Sequence, residues 1–216
     1  MSDNFILIDN IYRSRMNLLD ILEERGYIVD KYRKFSPAEA TAAVTAFPGV
    51  SPSLSFKVLK DDETQVCDVR YANVTRQKLD KFFDDIDDEH SENTEVIVMM
   101  IIPVADTHHF IALKQYLKLK ENGDKRKLRV SFFSIDTIVI NPLKHILVPK
   151  HEILPQDKHK ELMDSMYIVS KSKFPEIKFH IDPIARCIGA VPGDIIKITR
   201  PSPSSGESIM YRVCAP

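Results

Sequence analysis

The chain has 216 residues, of which 44% are hydrophobic and 28% are charged, a composition typical of a globular protein with a buried core. Its formal net charge of -1 excludes a histone-like or strongly basic coat protein for nucleic acid. The three cysteines are odd in number and far apart, so we expect no disulfide framework and a reducing compartment. The longest apolar run, residues 96–104, is about half as long as a membrane-spanning helix. The N-terminus has no signal-peptide pattern, so we expect an intracellular protein with no membrane partner.

Helix and strand patterns alternate through the first 142 residues. The predicted helices run from a cap at Asp9 or Asn10 to Gly26, from a capping box at Ser36 to Pro48-Gly49, from a cap at Thr75 onward, and over residues 106–120. The predicted strands are residues 54–59, 65–71, 95–102, 129–135 and 137–140, the first two forming a hairpin. The third strand is continuously apolar, so we expect it to be buried on both faces. This order predicts an α/β domain with two or three layers.

Charge and proline spacing place a domain boundary near residue 143. Residues 141–216 contain 11 basic and 8 acidic residues, whereas the remaining 19 and 23 give residues 1–140 a net charge of -4. We therefore predict an α/β domain at 1–142 and a smaller α+β domain at 143–216. The smaller domain is expected to contain a helix over 155–166, a short helix capped by Asp182 and closed by Gly189, and strands at 194–199 and 208–214 joined by a loop.

No catalytic constellation rises above background. The glycines are too widely spaced for a phosphate-binding loop, no nucleophile elbow is present, and spacing alone leaves a serine–histidine–aspartate triad open. The histidines at 108, 109, 145, 151 and 159 are expected to be structural, with His108 and His109 at the surface. Glu176-Ile177-Lys178 matches the last element of a metal-dependent nuclease site, but no Asp precedes it at the required strand end. We expect no metal, cofactor or small-molecule substrate, and a metal-dependent nuclease is the alternative.

Basic and aromatic residues concentrate on the last two predicted strands. Lys197 and Arg200 lie on or beside the first strand, and Tyr211 and Arg212 lie on the second. Alternation puts Lys197 on the face opposite Ile196, and Tyr211 on the face opposite Arg212. A strand surface that bears Arg and Tyr is typical of a protein interface. The alternative is a solvated basic face around a small core.

The C-terminal third closely resembles a known family, the fifth-largest subunit shared by the eukaryotic nuclear RNA polymerases, whose C-terminal domain corresponds to a small polymerase subunit found in archaea. The matching segments are His145-Ile-Leu-Val-Pro-Lys-His151, Phe174-Pro175-Glu176-Ile177, Asp182-Pro183-Ile184-Ala185-Arg186, Gly193-Asp194-Ile195-Ile196-Lys197-Ile198 and Tyr211-Arg212-Val213. Shorter similarities to the eukaryotic jaw domain occur at residues 13–27, 54–57, 96–98 and 132–140. The jaw segment that the family places near downstream DNA is replaced here by residues 109–114.

The resemblance implies a non-catalytic subunit of a multisubunit DNA-directed RNA polymerase. It implies a nuclease-like α/β jaw domain without catalytic carboxylates at 1–142, and an assembly domain at 143–216 that docks on the largest subunit. The expected partner-binding residues are Arg186, Lys197, Arg200, Tyr211 and Arg212. The expected contacts to downstream DNA, weak and without base readout, are Lys114, Lys118 and Lys120, for which ordinary solvation is the alternative. A nuclear location is implied, or a viral factory or virion if a virus encodes the chain. A free-standing transcription adaptor is a further alternative.

Overall fold

The computed structural model describes residues 2–46, 52–62, 64–89, 93–123 and 128–216. The chain forms two compact units, Met1–Asn141 and Pro142–Pro216. Across the described ranges, none of the helices combines the length and the hydropathy that crossing a bilayer requires.

The N-terminal unit combines α-helices with a four-stranded mixed sheet. Its helices are α1 (Ser2–Glu24), α2 (Pro37–Ala46), α3 (Leu79–Glu89), α4 (Asp106–Glu121) and α5 (Ile135–Ile138). Its strands are β1 (Phe56–Leu59), β2 (Val66–Tyr71), β3 (Thr94–Met100) and β4 (Arg129–Ser134). They lie side by side in chain order. The β1–β2 pair is antiparallel, whereas β2, β3 and β4 are parallel. The predicted hairpin and the predicted mixture of helices and strands are confirmed.

Strand β3 forms the centre of the N-terminal core. All of its residues are buried, as its continuous apolar sequence predicts. Val96, Val98 and Met100 share one face and pack in a cluster with Phe83 of α3 and Phe132 of β4. The alternate residues of β3 face the other side of the sheet. One of them is Glu95, whose charged side chain is therefore buried inside the unit.

Helix α1 starts earlier than predicted. It begins at Ser2, so the cap predicted at Asp9 or Asn10 is wrong. Asp9 forms an ion pair with Arg13 one turn later at 3.0 Å, and Asn10 Nδ2 donates to Asp136 Oδ1 at 3.0 Å. A short polar side chain signals a cap because it can bond the backbone, but here each one finds a side-chain partner within the helix or beyond it.

The capping box at Ser36 is confirmed. The Ser36 N–H donates to the Glu39 carboxylate at 2.7 Å, and the Glu39 N–H donates to the Ser36 hydroxyl at 3.3 Å. The predicted stop of this helix at Pro48-Gly49 lies outside the described residues. Thr75 precedes a 3-10 turn rather than α3 itself, and its side chain makes no capping bond.

The strand predicted over 137–140 is wrong, because Ile135–Ile138 forms the short helix α5. Asn17 of α1 donates from Nδ2 to the carbonyl oxygens of Ile138 and Val139 at 2.9 and 2.7 Å. These side-chain bonds satisfy backbone groups that would otherwise need a strand partner. A run of β-branched residues therefore folds as a helical turn against α1.

The C-terminal unit contains a second four-stranded mixed sheet. Its helices are α6 (Asp157–Ser165) and α7 (Pro183–Ile188), and its strands are β5 (Lys150–Ile153), β6 (Glu176–Lys178), β7 (Ile195–Ser202) and β8 (Gly206–Ala215). The order in the sheet is β5-β7-β8-β6. The two predicted helices and the two long strands are confirmed, although β7 and β8 extend into the predicted loop. The short strands β5 and β6 were not predicted.

Candidate functional site

The register of β7 and β8 divides the predicted partner-binding residues between the two faces of the sheet. Lys197 lies directly opposite Tyr211, whereas Arg212 lies opposite Ile196 and Arg200 lies opposite Ser208. Residues directly opposite one another share a face, and neighbours along a strand alternate. Lys197 and Tyr211 therefore lie on one face, and Arg200 and Arg212 lie on the other, as the predicted alternation requires.

The two faces differ in what surrounds the basic side chains. Tyr211 packs against a buried cluster of Phe174, Ile195 and Val213, so its ring is anchored in the core. On the other face, Arg212 Nη1 donates to the Glu176 carbonyl oxygen at 2.9 Å. Both side chains are thereby held in place, and held side chains lose less conformational freedom when a partner binds.

Arg186 lies inside the C-terminal unit rather than on its surface. It belongs to α7, it is buried, and its Nη1 donates to the His180 carbonyl oxygen at 3.0 Å. Helix α7 is fixed at its start by Asp182, whose Oδ1 accepts from the Ile184 N–H at 2.8 Å. It ends at Gly189, whose φ of 85° is the left-handed conformation that glycine tolerates best. The predicted cap and stop of this helix are confirmed.

The three predicted DNA-contacting lysines are exposed on α4 but do not share one face. Lys114 and Lys118 are one helical turn apart and are neighbours on the surface. Lys120 instead places its ammonium group 5.2 Å from the centre of the Tyr116 ring, a cation–π distance. Lys118 also borders a cavity of about 160 Å³ between α3 and α4 that is lined by Asp84.

A buried ionic cluster occupies the face of the N-terminal sheet opposite α3 and α4. Glu95 of β3 is 1% exposed. The Arg25 guanidinium donates from Nη1 to Glu95 Oε1 at 3.1 Å and from Nη2 to Glu95 Oε2. Arg129 Nη1 lies 3.6 Å from Glu95 Oε1. The Tyr27 hydroxyl donates to Oε2 at 3.3 Å. Burial raises the pKa of the neighbouring Cys67 thiol well above its ordinary value, so Cys67 is held as a neutral side chain.

Glu95 and Asp68, two buried carboxylates of this sheet, do not lie together as the metal-binding carboxylates of a nuclease would. Cys67 of β2 is level with Glu95, whereas Asp68 is level with Val96, so Asp68 and Glu95 lie on opposite faces of the sheet. Within the described ranges, no group of three or more histidine, cysteine or acidic residues is close enough to hold a metal ion. The Glu176-Ile177-Lys178 segment forms β6 with only its isoleucine buried.

Four of the described histidines contact backbone groups, and the predicted placement of one pair of histidines needs a correction. His108 and His109 are buried, so the predicted surface position is wrong. His108 Nε2 lies 2.8 Å from the Val74 carbonyl oxygen, and its ring centre lies 5.3 Å from that of Phe132, so the first turn of α4 is part of the core. Three further histidines contact nearby backbone: His145 with the Leu147 N–H, His151 with the Pro149 carbonyl and His159 with the Leu154 carbonyl.

The C-terminal unit matches a known protein family. Residues 140–214 match the family described as RNA polymerase Rpb5, C-terminal domain. The DNA-directed RNA polymerase subunit Rpo5 of Archaeoglobus fulgidus is 52% identical over 69 residues, which are 32% of this chain and 88% of that protein. The Methanosarcina barkeri Rpo5 is 48% identical over 71 residues, 33% of this chain and 88% of that protein. The subunit rpabc1 of DNA-directed RNA polymerases I, II, and III of Dictyostelium discoideum is 28% identical over 211 residues, 96% of this chain and 98% of that protein.

These similarities define the class as subunits of DNA-directed RNA polymerase. Within that class, the chain belongs to the Rpb5/Rpo5 family. The resemblance found in the sequence is thereby confirmed.

Proposed function

We propose that the chain is a non-catalytic subunit of a multisubunit DNA-directed RNA polymerase. One observation carries this proposal: 69 residues of the chain correspond to 88% of the length of an archaeal polymerase subunit at 52% identity. The similarity to the Dictyostelium subunit extends over 96% of the chain, which supports the same role for the two units together.

Residues 143–216 act as the assembly domain and bind the largest polymerase subunit. The contact surface is built on β7 and β8, with Lys197 and Tyr211 on one face and Arg200 and Arg212 on the other. Arg186 contributes from inside the unit, because its bond to the His180 carbonyl holds the turn before α7. Anchored Arg and Tyr side chains of this kind carry much of the binding energy in protein interfaces.

Residues 1–142 form a jaw domain beside downstream DNA. Its α/β fold is nuclease-like in our proposal but serves as a scaffold, since Glu95 is neutralised by Arg25 and lies on the face opposite Asp68. The exposed lysines of α4, Lys114, Lys118 and Lys120, contact phosphates rather than bases. We place this activity in the nucleus, or in a viral factory or virion if the chain is virus-encoded.

Purification of the tagged chain from its native source tests this function. We expect stoichiometric copurification with two very large subunits, detected by mass spectrometry. Deletion of 143–216 should abolish incorporation, whereas deletion of 1–142 should leave it largely intact. Recovery of the chain alone would support a free-standing adaptor instead, and Mg²⁺-dependent DNA cleavage that is lost in Asp68→Asn would support a nuclease.

A further inference from the structure

Strand β8 is much longer than the strand beside it. It runs from Gly206 to Ala215, but β6 pairs only with its last three residues, Val213 to Ala215. On its other side β8 pairs with β7 along almost its whole length. Residues 206–212 therefore form a sheet edge beside which no described strand lies.

The hydrogen-bond pattern shows which backbone groups this edge presents. The Cys214 N–H donates to the Asp194 carbonyl oxygen at 2.8 Å, which makes this a hydrogen-bonded pair of the antiparallel ladder. Because such pairs alternate with non-bonded ones, Met210 and Arg212 also bond β7. The odd-numbered residues point their backbone groups outward, and the Val213 N–H accordingly donates to the Pro175 carbonyl oxygen at 2.9 Å.

Two residues are left with outward backbone groups and no strand beside them. Glu207 is occupied by the turn, since its N–H donates to the Ser205 carbonyl and its carbonyl accepts from the Ser205 hydroxyl. Ile209 and Tyr211 are next along the edge. Each has a residue of β7 opposite it in a non-bonded position, so its N–H and C=O point away from the sheet.

The part of this edge at residues 208–211 lacks the usual features that block strand addition. Proteins protect exposed edges with proline, lysine, bulges or very short strands. Residues 208–211 read Ser-Ile-Met-Tyr, without a charge or a proline, and the pairing with β7 is continuous. Ile209 is 51% exposed, so the edge also presents apolar surface.

We propose that an extended segment of another polymerase subunit adds to this sheet as a strand beside Ile209 and Tyr211. This inference rests on the proposed function, and it extends that function by naming how the partner binds. Backbone hydrogen bonds provide affinity in such strand addition, and alternate side chains provide specificity.

The surrounding charges define the sequence of the incoming strand. Its side chains on the face of Ile209 and Tyr211 would be apolar. Its side chains on the other face would meet Arg212, with Arg200 on the same face one strand further away, so a carboxylate is favoured there. The net charge of +3 on residues 141–216 also favours an acidic partner segment. We therefore infer a partner segment in which apolar and acidic residues alternate.

Amide hydrogen exchange resolved to single residues tests this arrangement directly. In the free full-length chain, the amides of Ile209 and Tyr211 should exchange fast, whereas those of Met210 and Arg212 are protected by β7. In the purified polymerase, exchange at Ile209 and Tyr211 should slow by about 100-fold, and Met210 and Arg212 serve as internal controls. Equal exchange at Ile209 and Tyr211 in the two samples overturns the inference.

A matched pair of variants isolates the backbone contribution. Ile209→Pro removes one outward donor and leaves the β7 ladder intact, because proline is tolerated on a strand edge. It should lower the amount of chain recovered with the polymerase about tenfold. Ile209→Val keeps the N–H and a branched apolar side chain and should be recovered at close to the wild-type amount.

The outcomes separate the inference from the proposed function. Wild-type chain that never copurifies with the polymerase overturns both. Wild-type chain that copurifies without new protection at Ile209 and Tyr211, or Ile209→Pro that is recovered like the wild type, overturns strand addition alone. The melting temperature of free Ile209→Pro shows whether its fold is kept, and the exchange test does not depend on any variant.

Discussion

Glu95 is the negative centre of the ionic cluster in the N-terminal unit. Burial by itself disfavours its charged form. The nearby guanidinium groups of Arg25 and Arg129 outweigh burial, so the pKa of Glu95 is lowered overall. In the same cluster burial raises the pKa of Tyr27, and the charge of Glu95 raises it further. The cluster therefore holds a fixed charge pattern, one carboxylate between two cations, inside the N-terminal unit.

The charge on Glu95 is expected to be needed for the stability of this unit. Glu95→Gln leaves Arg25 and Arg129 without their buried counterion, which should lower the free energy of unfolding by about 3 kcal/mol. Urea unfolding of the full-length chain measures this change. Glu152→Gln is the control, because Glu152 pairs with Lys150 at the surface and such pairs contribute little. Equal unfolding midpoints for Glu95→Gln and the wild type would contradict the prediction.

The lowered pKa of Glu95 predicts that the chain loses stability in acid. Because the pKa of Glu95 is lower in the folded chain than in the unfolded chain, its contribution is complete above the unfolded value of about 4.3. It is lost as pH falls through the folded value. The stability difference between the wild type and Glu95→Gln should therefore be constant from about pH 7 to 5 and shrink below about pH 4. Urea titrations at a series of pH values test this, and a difference that grows in acid would refute it.

The sequence predicted the buried strand but not the ionic cluster. An unbroken apolar run after Glu95 indicates burial through local composition alone. The partner Arg25 is 70 residues away along the chain, and nothing local connects the two side chains. Arg129 offered one signal, since it begins the next parallel strand, but pairing it with Glu95 requires the register of the sheet. Long-range pairs of this kind depend on the fold and not on sequence spacing.

At the scale of elements, α7 is the clearest case of a local signal that decides structure. Asp182 Oδ1 accepts hydrogen bonds from the N–H groups of Ile184 and Ala185 at 2.8 and 3.4 Å. Asp182→Ala should lower the free energy of unfolding by about 1 kcal/mol, whereas Asp182→Asn should change it little because asparagine caps as well. Thermal unfolding of both variants provides the measurement. If Asn destabilises as much as Ala, the charge rather than the cap is responsible.

Other elements could not be assigned from local patterns. Strands β5 and β6 contain only four and three residues, too few for alternation to be distinguished from chance. They become strands because β7 and β8 offer edges to pair with. Helix α5 shows the opposite effect, since a β-branched sequence becomes a helical turn through its bonds to Asn17. Neighbours in space override local propensity when an element is short.

At the scale of the whole molecule, the proposed DNA contact predicts a salt effect. Each phosphate contact contributes about -0.9 to the slope of log affinity against log salt concentration. In the assembled polymerase, replacing Lys114, Lys118 and Lys120 together with alanine should make that slope for downstream DNA shallower. Lys81→Ala, an exposed lysine on α3, is the control. An unchanged slope in the triple variant would mean that these lysines are merely solvated.

The division into units predicts that the C-terminal part folds by itself. A polymerase family model matches residues 140–214, two archaeal relatives are covered to 88% of their length by only 69 and 71 residues of this chain, and the unit has its own core around Phe174, Ile195 and Val213. A core of this size supports a stability of about 3–5 kcal/mol. The isolated fragment 142–216 should therefore unfold in one cooperative transition by circular dichroism. Asp182→Ala should destabilise it by the same amount as the full chain, because the cap and its acceptors lie within the fragment. A fragment without a cooperative transition would show that this unit requires residues 1–141 in order to fold.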